Sequence, residues 1–332
     1  LYEGWHEGLR DVGCSVATFN LADRLAFYSS AGRMASDGDG EFVRMVDEDG
    51  ACRLAAKGIQ AACYEWWPAV VVIVSCFYIP LDILDVIRSR RMKVVLLHTE
   101  SPYEDDRQLE RAAHADLNVL NDPTNLDRFA AVAPSTYLGH AYRPKLHHPG
   151  PSNPSMASDF AFVGTGYESR IRFLEDVDWS GIDVALAGNW QQLAETSPLR
   201  KFVAHDIEHC VDNAETVDIY RSTKASANIY RREAERPELA EGWAMGPREV
   251  ELAATGTFFL REPRGEGDEL LPMVPTFEGP SDFEDQLRWY LAHDDERQAV
   301  ADKARAAIAG NTFAASAAQL LGLLDELNER TV

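Results

Sequence analysis

Short apolar runs and longer amphipathic segments alternate along most of this chain. Residues 15–19, 69–75, 93–98 and 117–120 are weighted towards valine, leucine and isoleucine, as short parallel strands buried on both faces are. Between them, 51–64, 81–90 and 105–115 have helical length and helical apolar spacing, and 1–14 reads as a further helix. Strand and helix in alternation predict a doubly wound α/β sheet. Residues 143–159 interrupt the pattern with Pro144, Pro149, Gly150, Pro151 and Pro154 and no periodic apolar positions, which predicts an interdomain linker. The alternation then resumes with strands over 160–163, 182–187, 225–229, 257–260 and 273–277 and helices over 169–176 and 214–221. Two stripes close the chain, one of Phe283, Leu287, Tyr290 and Leu291 and a cleaner one of Phe313, Ala317, Leu320, Leu321, Leu324 and Leu327, both at the helical period. The expected organisation is a domain over 1–150, a second over 151–311, and a helix over 312–332 whose apolar face has the exposed side of the first domain to bury.

At 332 residues the chain is long enough for two domains, each with its own core. Lysine and arginine number 32 against 54 aspartates and glutamates, a net charge of −22 that opposes a large phosphate-backbone interface or adhesion to anionic lipid. Cys14, Cys52, Cys63, Cys76 and Cys210 make an odd set without a Cys-x-x-Cys pair, which fits free thiols in a reducing compartment. The longest apolar stretch, 68–80, is shorter than the roughly 20 residues that cross a bilayer, so no membrane span is expected. The chain starts at Leu1 and enters a helix at once, so a leading strand is expected upstream, and a signal peptide can be neither read nor excluded from this start.

Ligands of open α/β sheets bind beyond the carboxyl ends of the strands, which directs attention to three segments. The first is His98-Thr99-Glu100-Ser101-Pro102-Tyr103-Glu104-Asp105-Asp106. Glu104, Asp105 and Asp106 suit the first turn of a helix, where the dipole favours carboxylates, whereas Glu100 precedes Pro102 and serves that turn less directly. The second is Gly164-Thr165-Gly166 running to Arg170, a small-residue loop opening a helix. Its readings are a plain strand-to-helix turn or a phosphate cradle, with Arg170 as a mobile cation. A nicotinamide site is not expected, because Ser169 stands where the dinucleotide fingerprint has its third glycine and the next strand ends in Ala187-Gly188-Asn189 without an acid. The third is Gly246-Pro247-Arg248-Glu249-Val250-Glu251 to Gly256, a short helix delimited by its proline and glycine. Arg248 and Glu251 share a face there, either as a surface pair or with one on a diphosphate and the other on a ribose. Asp37 and Asp39 read as a solvated loop. His140, His147, His148, His205 and His209 lack metal-ligand spacing, so no metal site is expected.

Phe160 with Gly164 through Arg170, residues 182–188, Asp218-Ile219-Tyr220 with Lys224 and Asn228, and Arg248-x-x-Glu251 with Gly256 together resemble the C-terminal half of spore-maturation-protein-like glycosyltransferases. These belong with the group 1 transferases of the GT-B fold. The N-terminal motifs Ala61-Ala62-Cys63-Tyr64-Glu65-Trp66-Trp67-Pro68 and His98 through Asp106, continued by 118–127, resemble glycosyltransferases encoded by actinobacterial bacteriophages. The resemblance implies two Rossmann-like domains facing across a cleft, with a nucleotide-sugar, UDP favoured, on the C-terminal domain and the acceptor on the N-terminal one. It implies that the last helix crosses back to the first domain. It implies donor binding by Gly164, Gly166, Arg170, Tyr220, Lys224, Asn228, Arg248 and Glu251, with Glu251 on the ribose hydroxyls and Arg248, Lys224 and the glycine loop on the diphosphate. Relatives often carry a second glutamate eight residues before the ribose-binding one, and Trp243 stands at that position.

The implied chemistry is stabilisation of a leaving nucleoside diphosphate by cations and helix ends without a metal or other cofactor. An inverting reaction needs a base at the acceptor hydroxyl, for which Glu100 is the candidate and His98 the reserve; a retaining one does not. The expected acceptor is a protein, a virion protein among them, or a small molecule in the cytoplasm of a host cell, with modified DNA bases disfavoured by the charge. A non-catalytic sugar or nucleotide binder and a nucleotide-sugar epimerase are the alternative readings.

Overall fold

The computed structural model describes residues 1–31, 46–207 and 210–329, so Asp37, Asp39 and His209 lie outside the described residues. The chain divides into two compact units, one of Leu1–Leu138 with Glu326–Val332 and one of Gly139–Asp325. The division falls ahead of the proline-rich segment instead of at 150/151.

The first unit runs α1 (Tyr2–Asp11), α2 (Leu21–Ala31), α3 (Glu48–Trp66), β1 (Val70–Val74), α4 (Leu81–Ser89), β2 (Lys93–His98), α5 (Asp105–Ala112), β3 (Leu117–Leu120), α6 (Leu126–Ala130) and β4 (Ser135–Tyr137). Its four strands are parallel in the order β1-β2-β3-β4. Helix α3 begins where the Asp47 carboxylate accepts a hydrogen bond from the Gly50 amide at 2.7 Å. Ala56, Ile59 and Cys63 of α3 and Ile83, Leu84 and Ile87 of α4 pack with Val94 and Leu96 on one side of the sheet. Ala112, Leu120 and Phe129 form a smaller cluster. Burial on both faces is why β2 reads as a continuous apolar run.

The second unit contains β5 (Ser158–Val163), α7 (Glu168–Glu175), β6 (Val184–Ala187), α8 (Asn213–Ser222), β7 (Thr223–Asn228), α9 (Pro247–Thr255), β8 (Phe258–Arg261), α10 (Gly265–Leu270), α11 (Pro280–Ala292), α12 (Asp294–Ala307) and most of α13 (Phe313–Glu329). The parallel order is β6-β5-β7-β8. Alternate residues of β5 face opposite cores: Phe160 and Phe162 pack with Trp190, Phe283 and Leu287, while Ala161 and Val163 pack with Tyr220, Val250 and Ala304. From β5 the chain passes to β6 on one side and then to β7 on the other. The carboxyl ends of β5 and β7 therefore flank a topological switch point, the usual ligand position in such sheets. The consecutive order of the first unit's described strands contains no such reversal.

Three expectations differ from the structure. Residues 15–19 form no strand; Phe19 instead packs its ring against the α3 and α4 cluster, so the apolar content serves packing alone. Residues 273–277 contribute only an isolated bridge, Thr276 to Arg261. The segment 143–159 is no loose linker, because Arg221 donates to the Leu146 and His148 carbonyls, each at 2.9 Å, and fastens it to α8. Helices α2, α6, α10 and α12 and the short strand β4 are elements that the apolar pattern does not predict. Among the described residues, no helix is long and apolar enough to cross a membrane.

Candidate functional site

Helix α9 starts at Pro247, whose missing amide hydrogen costs nothing in a first turn, and stops at Gly256, which takes φ 75° as its C-cap. That short helix delivers Arg248 and Glu251 to the switch point. The Arg248 Nε donates to the Val163 carbonyl at the end of β5 at 2.8 Å, and Nη1 donates to Asn228 Oδ1 at the end of β7 at 2.7 Å. Its guanidinium lies 4.3 Å from the centre of the Phe162 ring, a cation–π contact. A Cβ on Gly164 would collide with Nη2, so the glycine is what lets the guanidinium lie across the strand end.

Glu251 follows one turn later, half-buried, with its Oε1 4.0 Å from His147 Nε2. His147 accepts the Arg143 amide hydrogen on Nδ1 at 3.1 Å, so in the neutral ring the proton sits on Nε2, towards Glu251. Desolvation raises the Glu251 carboxyl to about 7 against the opposing pull of Arg248.

Several residues expected to bind the donor support this pair from below. Tyr220 is buried beside Arg248 and Glu251, and burial pushes its phenol up. Asn228 is buried and spends both ends of its amide internally, on Arg248 and Glu249. Neither is exposed to meet a ligand. Arg170 is not the mobile cation expected: it is buried, donates to the Ile229 and Thr165 carbonyls at 2.8 and 3.0 Å, and ties the end of β7 to the β5–α7 loop. Lys224 stands at the opposite edge of the sheet, near the start of β7, paired with Asp159 at 2.8 Å. A strand rises about 3.3 Å per residue, so Lys224 is far from the Asn228 end and its diphosphate role is withdrawn.

The glycine loop also differs from the phosphate cradle. The Gly164 and Gly166 amides donate to the Ala187 and Asn189 carbonyls at 2.9 and 2.8 Å. Gly166 is pressed against the Trp190 ring, and Gly188, at φ 108°, lets the β6 loop touch the Gly164 backbone. The amino end of α7 is occupied as well, since Glu233 accepts from the Ser169 amide at 2.8 Å and the Ser169 hydroxyl at 3.0 Å. Burial pushes the Glu233 carboxyl up, but the hydrogen bonds outweigh it and hold the group below the ordinary carboxylate range. The loop is a strand-to-helix turn that shapes the crevice.

Glu249 is a site residue that the motifs do not single out. It is fully buried in the first turn of α9, and its Oε2 accepts from Asn228 Nδ2 at 2.9 Å, the Tyr230 hydroxyl at 2.5 Å and the Gly246 amide at 2.6 Å. Burial raises its carboxyl to about 7, opposed by Tyr230, Gly246, Arg261 and Arg264. A glutamate three residues after a helix cap is a legible capping signal; its burial is not.

In the first unit, His98 ends β2 and is buried, its ring 5.0 Å from that of Phe129. Asn118 Nδ2 donates to the Ala112 carbonyl, leaving Oδ1 to accept from His98 Nε2 at 2.8 Å. Burial lowers His98 to about 4, so the ring is neutral and enclosed at pH 7, and the reserve base role is withdrawn. Glu100 lies half-buried just beyond β2. Its loop is braced by Asp105, which accepts from the Ser101 hydroxyl at 2.6 Å, Gln108 at 2.9 Å and Asn125 at 2.7 Å. Asp105 is thus a buried brace more than a helix-dipole carboxylate, and desolvation raises its carboxyl. Among the described residues no group of histidine, cysteine, aspartate or glutamate side chains is arranged to hold a metal ion.

Residues 170–322, from α7 into α13 and including Asn228, Arg248 and Glu251, match the family described as glycosyl transferase-like. Those residues lie in the second unit, which carries a glycosyl transferase-like region. Solved structures share the fold of this chain at low identity. Sucrose-phosphate synthase of Thermosynechococcus elongatus is 11% identical over 86% of this chain and 79% of its own, with a TM-score of 0.59. Anabaena HepE in complex with UDP and glucose is 12% identical over 82% and 81%, also at 0.59. The trehalose-6-phosphate protein of E. coli bound with UDP-2-fluoro glucose is 11% identical over 97% and 85%, at 0.57. The two α/β units are of the GT-B type. Among curated proteins, none matches this sequence.

Two outcomes follow from the packing of α9. Gly164→Ala should lose about 1–3 kcal/mol in urea unfolding through the clash with Arg248. Adding Arg248→Ala should recover part of that loss; no recovery would locate the strain in the turn itself. The second concerns pH. Between the ordinary carboxyl value of 4.5 and the folded value of about 7, the folded protein keeps a proton on Glu249 that the unfolded chain has released. The Glu249 contribution to stability is therefore complete below that window and falls as pH rises through it. Urea midpoints measured across the window should decline less steeply in Glu249→Gln than in the parent chain.

Proposed function

We propose that the protein is a glycosyltransferase that moves a sugar from a UDP-sugar to a hydroxyl of a protein or small molecule, with the donor held by the second unit. The observation that carries this reading is the placement of Arg248 across the ends of β5 and β7, with Glu251 one turn further along α9. Arg248 would neutralise the departing diphosphate, and the Glu251 carboxylate would accept hydrogen bonds from the ribose hydroxyls. Complexes of HepE with UDP and glucose and of the E. coli protein with UDP-2-fluoro glucose support UDP as the nucleotide. In this reading charge on the leaving group is met by arginine and not by a metal ion. If transfer inverts the anomeric centre, Glu100 is the base for the acceptor hydroxyl. The net charge of −22 favours protein or small-molecule acceptors over DNA. The resemblance to spore-maturation-like and phage-encoded transferases, and a cytoplasmic place of action, belong to the same proposal.

The test is titration of UDP and UDP-glucose by calorimetry, with and without EDTA. Binding should be insensitive to EDTA and weakened about 10- to 100-fold by Arg248→Ala or Glu251→Ala, the loss of one or two charge-assisted hydrogen bonds. Unchanged donor binding in both variants would overturn the assignment. Binding without turnover for any acceptor would favour a non-catalytic binder, and donor conversion without acceptor an epimerase. Glu100→Gln should bind donor normally and transfer slowly; full transfer by that variant removes Glu100 from the mechanism.

A further inference from the structure

We propose that Glu249 is a positioning residue of the donor site, whose carboxylate sets the orientation of Asn228 and thereby holds the Arg248 guanidinium across the strand ends. The inference rests on the donor reading above for its consequence, though not for its geometry. An arginine side chain has only donors, so Nη1 requires the oxygen of the Asn228 amide. That orientation turns Nδ2 the other way, into a buried position where an acceptor is obligatory. Glu249 Oε2 is that acceptor, at 2.9 Å, and because the Gly246 amide and the Tyr230 hydroxyl also donate to this oxygen it offers Asn228 no hydrogen of its own. One orientation of Asn228 is therefore satisfied at both ends, and the flipped one would set its amide hydrogens against those of Arg248.

The same oxygen receives the Tyr230 hydroxyl, just past β7, and the Gly246 amide, just before α9. Glu249 thus fixes the strand end, the helix start and the amide between them. A glutamate serving only as a helix cap has no need of full burial, because an exposed side chain satisfies the same amide in contact with water. Here the residue is fully buried, and its second oxygen, Oε1, has no hydrogen-bond partner among the described residues. The charged groups facing it are Arg261 at the end of β8 and Arg264 beyond it. Glutamine would keep the shape, but it brings a donor as well as an acceptor and no longer distinguishes the two orientations of Asn228.

The experiment has two arms on the full chain. In arginine-selective nitrogen spectra without ligand, the Arg248 Nε–H, assigned by its disappearance in Arg248→Lys, should exchange slowly with water because it donates to Val163. Glu249→Gln should speed that exchange about tenfold, the weight of one hydrogen bond. Asn228→Ala, which cuts the link and leaves Glu249 its other two partners, should do the same, and Glu249→Gln should add nothing to it. Unchanged exchange in Glu249→Gln and Asn228→Ala overturns the proposal whatever the nucleotide does. In the second arm, Glu249→Gln should weaken UDP binding about tenfold in the parent chain and not at all in Arg248→Ala, because the two act through one contact. An equal loss in both backgrounds also overturns it, since a general lesion would be additive. Failure of the parent chain to bind UDP refutes the donor reading alone, and the exchange arm then decides the role of Glu249.

Discussion

A guanidinium laid across the ends of two neighbouring strands sets most of the requirements around it. Arg248 needs an acceptor from each strand, and the Val163 carbonyl and the Asn228 side chain supply them. It needs room above β5, which Gly164 leaves, and a flat apolar bed, which the Phe162 ring provides. It must arrive from a helix that begins close to the strand ends, and Pro247 and Gly256 confine α9 to that place. Asn228 in turn needs an acceptor for its amide hydrogens, which draws Glu249 into the core. The order β6-β5-β7-β8 makes this arrangement useful, because it opens the crevice at the same two strand ends.

The neighbourhood of that arginine is crowded with carboxylates already committed. Glu233 occupies the amino end of α7, and Glu249 takes the amide at the start of α9. The glycine loop has given its own amides to the β6 loop. A phosphate arriving there would meet carboxyl groups already occupying two helix ends and a cation at Arg248. Recognition of an anion there would depend on side-chain cations more than on backbone amides, which is the reverse of a glycine-rich phosphate cradle.

The first unit uses buried polar groups differently. His98 and Asn118 lock β2 to β3, and Asp105 braces Ser101, Gln108 and Asn125 beneath the loop that carries Glu100. Their shared effect is to fix the course of a loop at the carboxyl edge of the sheet, which is what a side chain acting on an acceptor would require.

The sequence by itself determined the α/β class, the two units, most strands and the helix that carries Arg248 and Glu251. Runs such as 93–98, the proline and glycine around α9 and the closing apolar stripe are local signals that depend on spacing and composition. The pattern failed at 15–19 and 273–277, where apolar residues pack without joining a ladder, because composition reports burial and not hydrogen-bond partners. Tertiary structure alone decided which polar residues are spent. Arg170, Tyr220 and Asn228 sit in motif positions yet turn inward, Lys224 falls at the opposite edge, and Glu249 becomes the hub of the site. Each outcome depends on partners or placement set far away in sequence: buried Arg170 must find an acceptor such as the Ile229 carbonyl, and exposed Lys224 meets Asp159 because β7 pairs with β5.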